Sequence, residues 1–338
     1  MLIHTDYSIK NLNSFHIDVK AKYFIEINEE NELTQLLHTD EYALNKRLVL
    51  GEGSNILFTE KFDGLIIKLN TKGISVIEES ETEAVVESAA GEKWDNFVKF
   101  CVENKLYGAE NLSGIPGTVG AAPVQNIGAY GTELKDIFHS LEGYFTDGMR
   151  KGYFEPEDCE FDYRASVFKD RFKNAFIITK VRFRLSKLHS LHLNYRDLKE
   201  IYKDQAAESI LLADVRESIL GIRSNKLPDP YEFGNAGSFF KNPEISNRKF
   251  KELHEKYPDI VHFKVDSTTV KVPAAWLIEK CGLKGYRLGQ TATHSKQPLV
   301  IINLGSAKGK EIAEFADFIQ AKVKKKFQID LIPEVNII

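Results

Sequence analysis

The chain has 338 residues, of which 43% are hydrophobic and 28% are charged, and its formal net charge is −4. This composition is that of an ordinary globular protein, and the length is enough for two or three domains of about 100–150 residues each. The small negative charge gives no electrostatic reason to expect binding to nucleic acid or to a membrane.

The three cysteines, Cys101, Cys159 and Cys281, stand far apart in sequence and form no C-x-x-C pair. Their spacing argues against a metal site and a disulfide framework, and it suits a reducing compartment. The N-terminal segment MLIHTDYSIKNLNSF has no apolar run like that of a signal peptide, and no later run approaches about 18 apolar residues. We therefore expect a cytoplasmic protein.

The first part of the chain alternates short strands and helices, such as the strands KYFIEI and GLIIKL and the helix ENELTQLLH. From about Lys72 the pattern favours β structure. It is interrupted by one clear helix, KWDNFVKFCVENK, in which Trp94, Phe97 and Cys101 recur at helical spacing. These interleaved elements predict an α+β fold.

A long helix is predicted from Ala206, with Leu211, Val215 and Ile219 on one face, and the prolines and glycines of NKLPDPYEFGNAG end it. The last third predicts a helix over AAWLIEKCG and a strongly amphipathic helix over residues 308–327. A closing strand is predicted over IDLIPEVNII.

Two glycine-rich segments indicate a phosphate-bearing ligand. The segment LGEGSN follows a strand and offers backbone N–H groups on a tight turn, which suits a pyrophosphate. It lacks the third glycine of G-x-G-x-x-G and the G-K-[ST] of a P-loop, and a plain β-turn is the alternative. The segment SGIPGTVGAAPVQNIGAYG is short of charge, so we expect an ordered loop. It suits a backbone wrapped around a flat ligand such as a flavin, with a structural crossover loop as the alternative.

Ser238 lies in FGNAGSFFKNP, among small residues and directly before two aromatic residues. The pattern is not the G-x-S-x-G elbow of hydrolases, and no histidine lies close in sequence. The serine is therefore either chosen for the turn or used in chemistry that needs no neighbouring base.

Six segments in order closely resemble the UDP-N-acetylenolpyruvoylglucosamine reductase family: LGEGSN, SGIPGTVGAAPVQNIGAYG, FDYRASVFK, NKLPDP, GNAGSFFKNP and PEV. The resemblance covers essentially the whole chain, and LNYRDL resembles the longer, type I form. It implies a two-part FAD-binding domain of the vanillyl-alcohol-oxidase (PCMH) type, followed by a C-terminal α+β substrate-binding domain. The implied bounds are 1–71 (joined by the C-terminal strand 328–338) and 72–222 for the FAD-binding parts, and 223–327 for the substrate-binding domain.

The resemblance also implies the reaction. NADPH reduces FAD, and the reduced flavin delivers hydride to the vinyl carbon of UDP-N-acetylglucosamine enolpyruvate, giving UDP-N-acetylmuramate for peptidoglycan synthesis. No histidine or cysteine lies in GEGSNILF, so the FAD is expected to be noncovalent. The protein is expected to be a monomer without a metal.

The resemblance assigns catalytic roles to three residues. Ser238 matches the proton donor, which needs no histidine because an enolate-like carbon is basic enough to take a hydroxyl proton. Arg164 matches the arginine that faces the substrate carboxylate, where a fixed bidentate charge stabilises the developing enolate. Glu334 matches an acid that acts on the intermediate or on the serine's protonation. The alternatives are a turn serine, a local surface ion pair and a solvated glutamate.

Further positions follow from the same resemblance. The UDP-sugar or its diphosphate is assigned to Tyr195, Lys226, Asn242 and Gln297, although Tyr195 reads equally as a core tyrosine and Lys226 as a helix-end lysine. FAD is assigned to Gly51, Glu52, Gly53, Ser54, Asn55, Ile115, Pro116, Gly117, Gly120, Ala121, Gln125, Asn126, Gly128, Ala129, Tyr130 and Arg223. The sequence departs from the family pattern in the alanines of GAAPVQN, in Ala165 and in Asn225, which puts only secondary contacts in doubt.

Two other functions stay open at this point. One is an FAD oxidase or dehydrogenase of similar fold that acts on an alcohol and carries a base over the flavin. The other is a noncatalytic flavin or nucleotide-sugar sensor, which would keep the glycine-rich loops but would not need Ser238 or Glu334.

Overall fold

A computed structural model describes residues 1–147 and 150–338 of the chain. They divide into two compact units. The first unit consists of Met1–Tyr7, Ala21–Glu52 and Asp63–Asn225, and the second of Ser8–Lys20, Gly53–Phe62 and Lys226–Ile338. The first unit does not separate the two predicted FAD-binding parts, and the three-domain division stays a prediction.

The described residues contain helices and strands throughout, which confirms the predicted α+β class. The helices are α1 Glu30–Leu36, α2 Asp40–Ala43, α3 Trp94–Glu103, α4 Arg196–Ile201, α5 Leu212–Lys226, α6 Asn247–Lys256, α7 Ala274–Lys280 and α8 Gly309–Phe327. The strands are β1 His4–Ser8, β2 Lys20–Ile27, β3 Lys46–Leu50, β4 Ile56–Leu57, β5 Phe62–Leu69, β6 Ile74–Glu79, β7 Glu83–Ala89, β8 Gly128–Ala129, β9 Thr132–Glu133, β10 Phe138–Phe145, β11 Lys151–Phe154, β12 Phe176–Ser186, β13 Gly234–Ser238, β14 Glu244–Ser246, β15 Phe263–Lys264, β16 Thr269–Lys271, β17 Arg287–Leu288, β18 Thr291–Thr293, β19 Val300–Asn303 and β20 Asn336–Ile337.

The first unit is built on a sheet of order β1-β2-β5-β3 and a sheet of order β11-β10-β12-β7-β6. Strands β3 and β5 pair in parallel, whereas the neighbours in the five-stranded sheet are antiparallel. Helix α3 buries Trp94, Phe97 and Cys101, as its spacing predicts, and the Phe97 ring lies 4.2 Å from that of Phe183 on β12. Apolar burial therefore fixes α3 on this sheet.

The second unit contains a sheet of order β13-β19-β18-β17, a small sheet β14-β16-β15 and the parallel pair β20-β4. Helix α8 buries Ile312, Phe315, Ile319 and Val323, the stripe that its sequence predicts. These residues share a core with Phe239, directly after β13. The core thus holds the end of β13 in place.

Two predicted elements are wrong in extent. The helix predicted from Ala206 begins at Leu212, and Leu211 is exposed, because the Asp214 carboxylate accepts the Leu211 N–H and caps the helix there. The closing strand is reduced to β20, since Pro333 has no N–H to donate to a ladder. Among the residues described, no helix has both the length and the apolar content needed to cross a membrane.

Candidate active site

The two predicted glycine-rich segments meet in the first unit. We call residues 111–131 the glycine loop. The Gly117 N–H donates to Glu52 Oε2 at 2.8 Å, and the Trp94 N–H donates to the Gly117 carbonyl at 2.9 Å. A Cβ on Gly51 would lie 2.9 Å from Thr118 Oγ1, so glycine at this position allows the turn after β3 to approach the loop closely.

The glycine loop also packs on the turn after β7. The Gly120 N–H donates to the Ala90 carbonyl at 2.9 Å, and a Cβ on Gly120 would lie only 2.6 Å from the Ala90 Cβ. Pro116 and Ala121 are exposed, whereas Gly117 is buried. The loop is therefore ordered, as its composition predicts, and it presents small apolar side chains outward.

Helices α3 and α5 hold the start of this loop at Gly114. Arg223 Nε donates to the Gly114 carbonyl at 3.0 Å, and Asp95 Oδ1 accepts the Gly114 N–H at 2.6 Å. Arg216 binds Asp95 through two 2.7 Å hydrogen bonds. Burial raises the pKa of the Asp95 carboxyl, but the bonds from Arg216 and Gly114 outweigh it, and the net pKa lies below its usual value. No pattern in the sequence distinguishes Asp95 or Arg216 from an ordinary charged residue on a helix.

Tyr130 and Tyr195 lie beside each other near the end of the loop. Their rings are 5.3 Å apart and nearly perpendicular, and Tyr195, at the start of α4, is 40% exposed. The buried Asn111 amide donates to the carbonyls of Tyr130 at 2.9 Å and His192 at 2.8 Å, which ties the two tyrosine segments together. Burial raises the pKa of Tyr130 and lowers that of Arg223, and the two groups interact. A predicted FAD contact and a predicted substrate contact are thus neighbours.

Arg164 lies in the first unit on a tight turn in which Asp162 and Ala165 pair. Its backbone is left-handed, with φ 54°, and its Nη2 donates to the Gly128 carbonyl at 2.7 Å. The fully buried Asn126 donates to the Asp162 carbonyl at 3.1 Å. Asn126 therefore holds the turn that carries Arg164, and its side chain is committed to loop structure.

Ser238 ends β13 in the second unit, next to a bulge. We call residues 235–239 the serine bulge. Gly237 has φ 65°, and its N–H donates to Asn235 Oδ1 at 2.9 Å. The Phe239 N–H donates to the Leu299 carbonyl at 2.9 Å, and Phe239 is buried. Ser238 is half-buried, and its hydroxyl makes no hydrogen bond with a residue that the structure describes.

Glu334 lies on the backbone segment next to the serine bulge. Its N–H donates to the Phe239 carbonyl at 2.8 Å, and the Lys241 N–H donates to the Ile332 carbonyl at 2.9 Å. Asn55 Nδ2 donates to the Glu334 carbonyl at 3.3 Å. The structure therefore brings Ser238 and Glu334, two of the three predicted catalytic residues, onto adjacent segments of one unit.

The remaining predicted residues fall on these same elements. Asn242 Oδ1 accepts the Ala274 N–H at 2.9 Å, and this bond does not use the two N–H donors of its NH₂ group. Gln297 lies in the turn between β18 and β19, and Lys226 is exposed at the end of α5. A Cβ on Gly53 would lie 2.0 Å from the Leu12 carbonyl oxygen, so this position requires glycine. Most of the predicted FAD contacts are half-buried: Gly51, Glu52, Ser54, Asn55, Ile115, Gly120, Gln125, Gly128, Ala129, Tyr130 and Arg223.

The described side chains include no cluster of three or more His, Cys, Asp and Glu residues that could hold a metal ion.

Two protein-family models match the sequence. The model described as "UDP-N-acetylenolpyruvoylglucosamine reductase, C-terminal domain" matches residues 229–338, and the one described as "FAD binding domain" matches residues 21–151. The predicted FAD-binding domain followed by a C-terminal domain is thereby confirmed, and the division of the FAD-binding domain into two parts stays a prediction.

Similar proteins span the full chain. The UDP-N-acetylenolpyruvoylglucosamine reductase of Flavobacterium johnsoniae is 43% identical over 340 residues, covering 100% of each chain. That of Bacteroides fragilis is 41% identical over 332 residues, covering 98% of this chain and 99% of the relative. The crystal structure of the Thermus caldophilus reductase matches with a TM-score of 0.66 and 22% identity, over 99% of this chain and 98% of that one. This last likeness supports the fold.

Proposed function

This chain belongs to the UDP-N-acetylenolpyruvoylglucosamine reductase family, and from this premise we propose that it reduces UDP-N-acetylglucosamine enolpyruvate to UDP-N-acetylmuramate with NADPH as reductant. The observation that carries the proposal is the serine bulge, where a half-buried hydroxyl that bonds to none of the described residues lies beside the Glu334 segment. The enzyme acts as a cytoplasmic monomer in peptidoglycan precursor synthesis.

The glycine loop and its neighbours fit FAD. Arg223 and Tyr130 supply a cation and a hydroxyl for the diphosphate, and exposed Ala121 and Pro116 leave room for a flat ring. FAD, when bound, supplies the hydride chemistry that joins NADPH oxidation to reduction of the enolpyruvyl double bond. The Asp95–Arg216 pair holds Gly114 and so fixes the start of the loop against this cofactor.

Ser238 supplies the proton that completes the reduction. Hydride addition at the vinyl CH₂ carbon leaves carbanion or enol character at the adjacent carbon, next to the carboxylate. The Ser238 O–H bond breaks and its proton forms the new C–H bond there. Because the hydroxyl gives a proton and attacks nothing, the reaction requires no histidine base beside it.

Arg164 binds the substrate carboxylate and stabilises the negative charge that develops beside it. The left-handed turn and the bond to Gly128 hold the guanidinium in a defined orientation, which limits the reorganisation needed when charge appears. Glu334 lies beside the serine in the backbone ladder, and this favours a role in restoring the Ser238 proton. Tyr195, Lys226, Asn242 and Gln297 bind the UDP-sugar.

A spectroscopic titration tests the proposal. The purified full-length protein, loaded with FAD, is expected to be yellow, to bleach on anaerobic addition of NADPH, and to recover its colour only when the enolpyruvyl sugar nucleotide follows. An alcohol oxidase would bleach with the alcohol and recover with oxygen. A protein that takes up no FAD overturns every flavin-enzyme function, and one that bleaches without substrate-dependent recovery is a flavin binder of another kind.

A further inference from the structure

His294 lies two strands away from Ser238 in the same sheet. It directly follows β18, and its N–H donates to the Val300 carbonyl at 2.9 Å. Val300, the first residue of β19, pairs with Ser238 at the end of β13. Neighbouring strands lie about 4.8 Å apart, so the backbones of His294 and Ser238 are separated by about 10 Å.

His294 and Ser238 also share one face of this sheet. Ala292 packs in one buried cluster and Phe239 in another, on the opposite face. Side chains alternate along a strand, so His294, two residues after Ala292, lies on the Ala292 face. Ser238, directly before Phe239, lies on that face too.

The two ring nitrogens of His294 have different environments. Nδ1 is buried and has no hydrogen-bond partner among the described residues, whereas Nε2, equally unpartnered, remains accessible to solvent. A buried N–H group without an acceptor is rarer than a buried acceptor without a donor. Because Nδ1 is the buried nitrogen, the single proton of the neutral ring belongs on Nε2. Burial, with a contribution from the charge of Lys296, lowers the pKa of His294 and keeps the ring neutral.

Two lysines and a glutamine lie near this face. Leu227 packs in the cluster of Ala292, which places Lys226 beside the face, and Gln297 follows His294 in the same turn. Lys226 and Lys296 are both exposed. Cationic groups and N–H donors around an exposed imidazole N–H suit a ligand segment rich in anionic acceptors.

We infer that His294 is a further substrate-binding residue, which donates its Nε2–H to an oxygen of the diphosphate of the bound sugar nucleotide. This inference rests on the proposed function, because it takes the sugar nucleotide of that reaction as the ligand. Two strand spacings let one extended nucleotide contact His294 through its diphosphate while its reacting end reaches Ser238.

The test uses the full-length FAD-loaded enzyme and UDP as the probe, with Kd measured by calorimetry. Loss of one hydrogen bond to a charged acceptor predicts UDP binding about 10- to 100-fold weaker in His294→Ala, with a matching rise in the KM of the enolpyruvyl substrate. His294→Gln, whose amide N–H takes the place of Nε2–H, is expected to stay within about threefold of the unmodified enzyme. His294→Phe, which keeps the ring but not the donor, is expected to behave like the alanine variant.

His254→Ala, at an exposed histidine on α6, is the matched control and should leave Kd and KM unchanged. Flavin reduction at saturating NADPH should be equal in all variants. Equal UDP affinity for the Ala, Phe and Gln variants and the unmodified enzyme overturns the inference, as does a lower melting temperature with no change in Kd. If the unmodified enzyme binds UDP but never turns over the sugar nucleotide, the proposed function fails. The UDP Kd values of the His294 variants and the unmodified enzyme still decide whether His294 binds the diphosphate.

Discussion

The glycine loop of the first unit and the serine bulge of the second are both glycine-containing segments, but they are held in opposite ways. In the glycine loop, side chains from distant helices bind the backbone, as Asp95 and Arg223 do at Gly114. In the serine bulge, backbone ladders on two sides carry the segment, and the Ser238 hydroxyl has no hydrogen-bond partner within residues 1–147 and 150–338. In the glycine loop, side chains fix the shape of the backbone. In the serine bulge, backbone hydrogen bonds position a side chain.

This difference separates two ways in which a mutation can affect the protein. Removal of the Ser238 hydroxyl should alter chemistry with little effect on folding, because this hydroxyl makes no hydrogen bond with a residue that the structure describes. Changes at the supports of the glycine loop should alter stability and cofactor retention first. The four predictions below test that separation.

Ser238→Ala should show the largest effect. We expect turnover of the enolpyruvyl substrate to fall by about 10²- to 10⁴-fold, because the proposed general acid is gone, while NADPH still reduces the flavin at its normal rate. Stopped-flow measurement of the two half-reactions checks this, with Ser75→Ala, an exposed strand serine, as the control. If both half-reactions slow together, Ser238 is structural and the contrast between the two segments is lost.

Arg164→Lys should reduce turnover by about 10- to 100-fold, because lysine keeps the charge but loses the bidentate fork. The matched control is Arg171→Lys, at an exposed arginine 3.6 Å from Glu160, which should be neutral. Steady-state kinetics at saturating NADPH provide the measurement. Near-native turnover of the Arg164 variant would remove this residue from the mechanism.

Asp95→Asn should act on stability. Arg216 loses its charged partner, at a cost of about 1–3 kcal/mol, which corresponds to a lowering of Tm of about 2–4 °C per kcal/mol in a unit of this size. Calorimetry with and without excess FAD should show that Asp95→Asn lowers Tm more than the control variant does. The Asp95→Asn protein should also retain FAD more weakly. The control is Glu103→Gln, in an exposed pair with Lys99 on the same helix. It should change the free energy of unfolding by less than about 1 kcal/mol. Equal shifts would mean that the loop does not depend on this pair.

The pH dependence of that stability difference should be the smallest effect. The folded state lowers the pKa of Asp95, so its contribution is fully present above the usual Asp pKa of about 3.9 and is lost as pH falls through the folded-state value. Denaturant midpoints of the unmodified protein and the Asp95→Asn variant should therefore converge on acidification from pH 6 to 3. A difference that stays constant over this range would assign the effect to packing.

Local periodicity predicts the elements that a single apolar face defines. The stripes of α3 and α8 are confirmed because one face of each helix is buried in a core. The predicted start of α5 was wrong because the helix begins where Asp214 caps it, and the apolar pattern does not reveal this cap. The length of the closing strand was wrong because Pro333, inside the predicted strand, has no N–H to donate and forms only an isolated bridge with Phe240.

The candidate site shows the same limit. Ser238 and the glycine segments stand out because glycine and small residues indicate tight turns and left-handed backbone conformations. The family resemblance then suggests their roles. The Asp95–Arg216 pair joins residues 121 positions apart, and His294 lies on the Ser238 face only through the register of three strands. No local pattern encodes such contacts, because they arise only when sheets and helices pack.

The pairing of β20 with β4 has a consequence for how the protein is made. Asn336 donates to Asn55 across a separation of 281 residues, so the second unit joins early segments of the chain to its final ones. A contact over this distance carries a large loop-closure entropy and forms late. During synthesis, residues 8–20 and 53–62 must wait until residues 328–338 leave the ribosome, and the backbone ladder beside Ser238 assembles only after them.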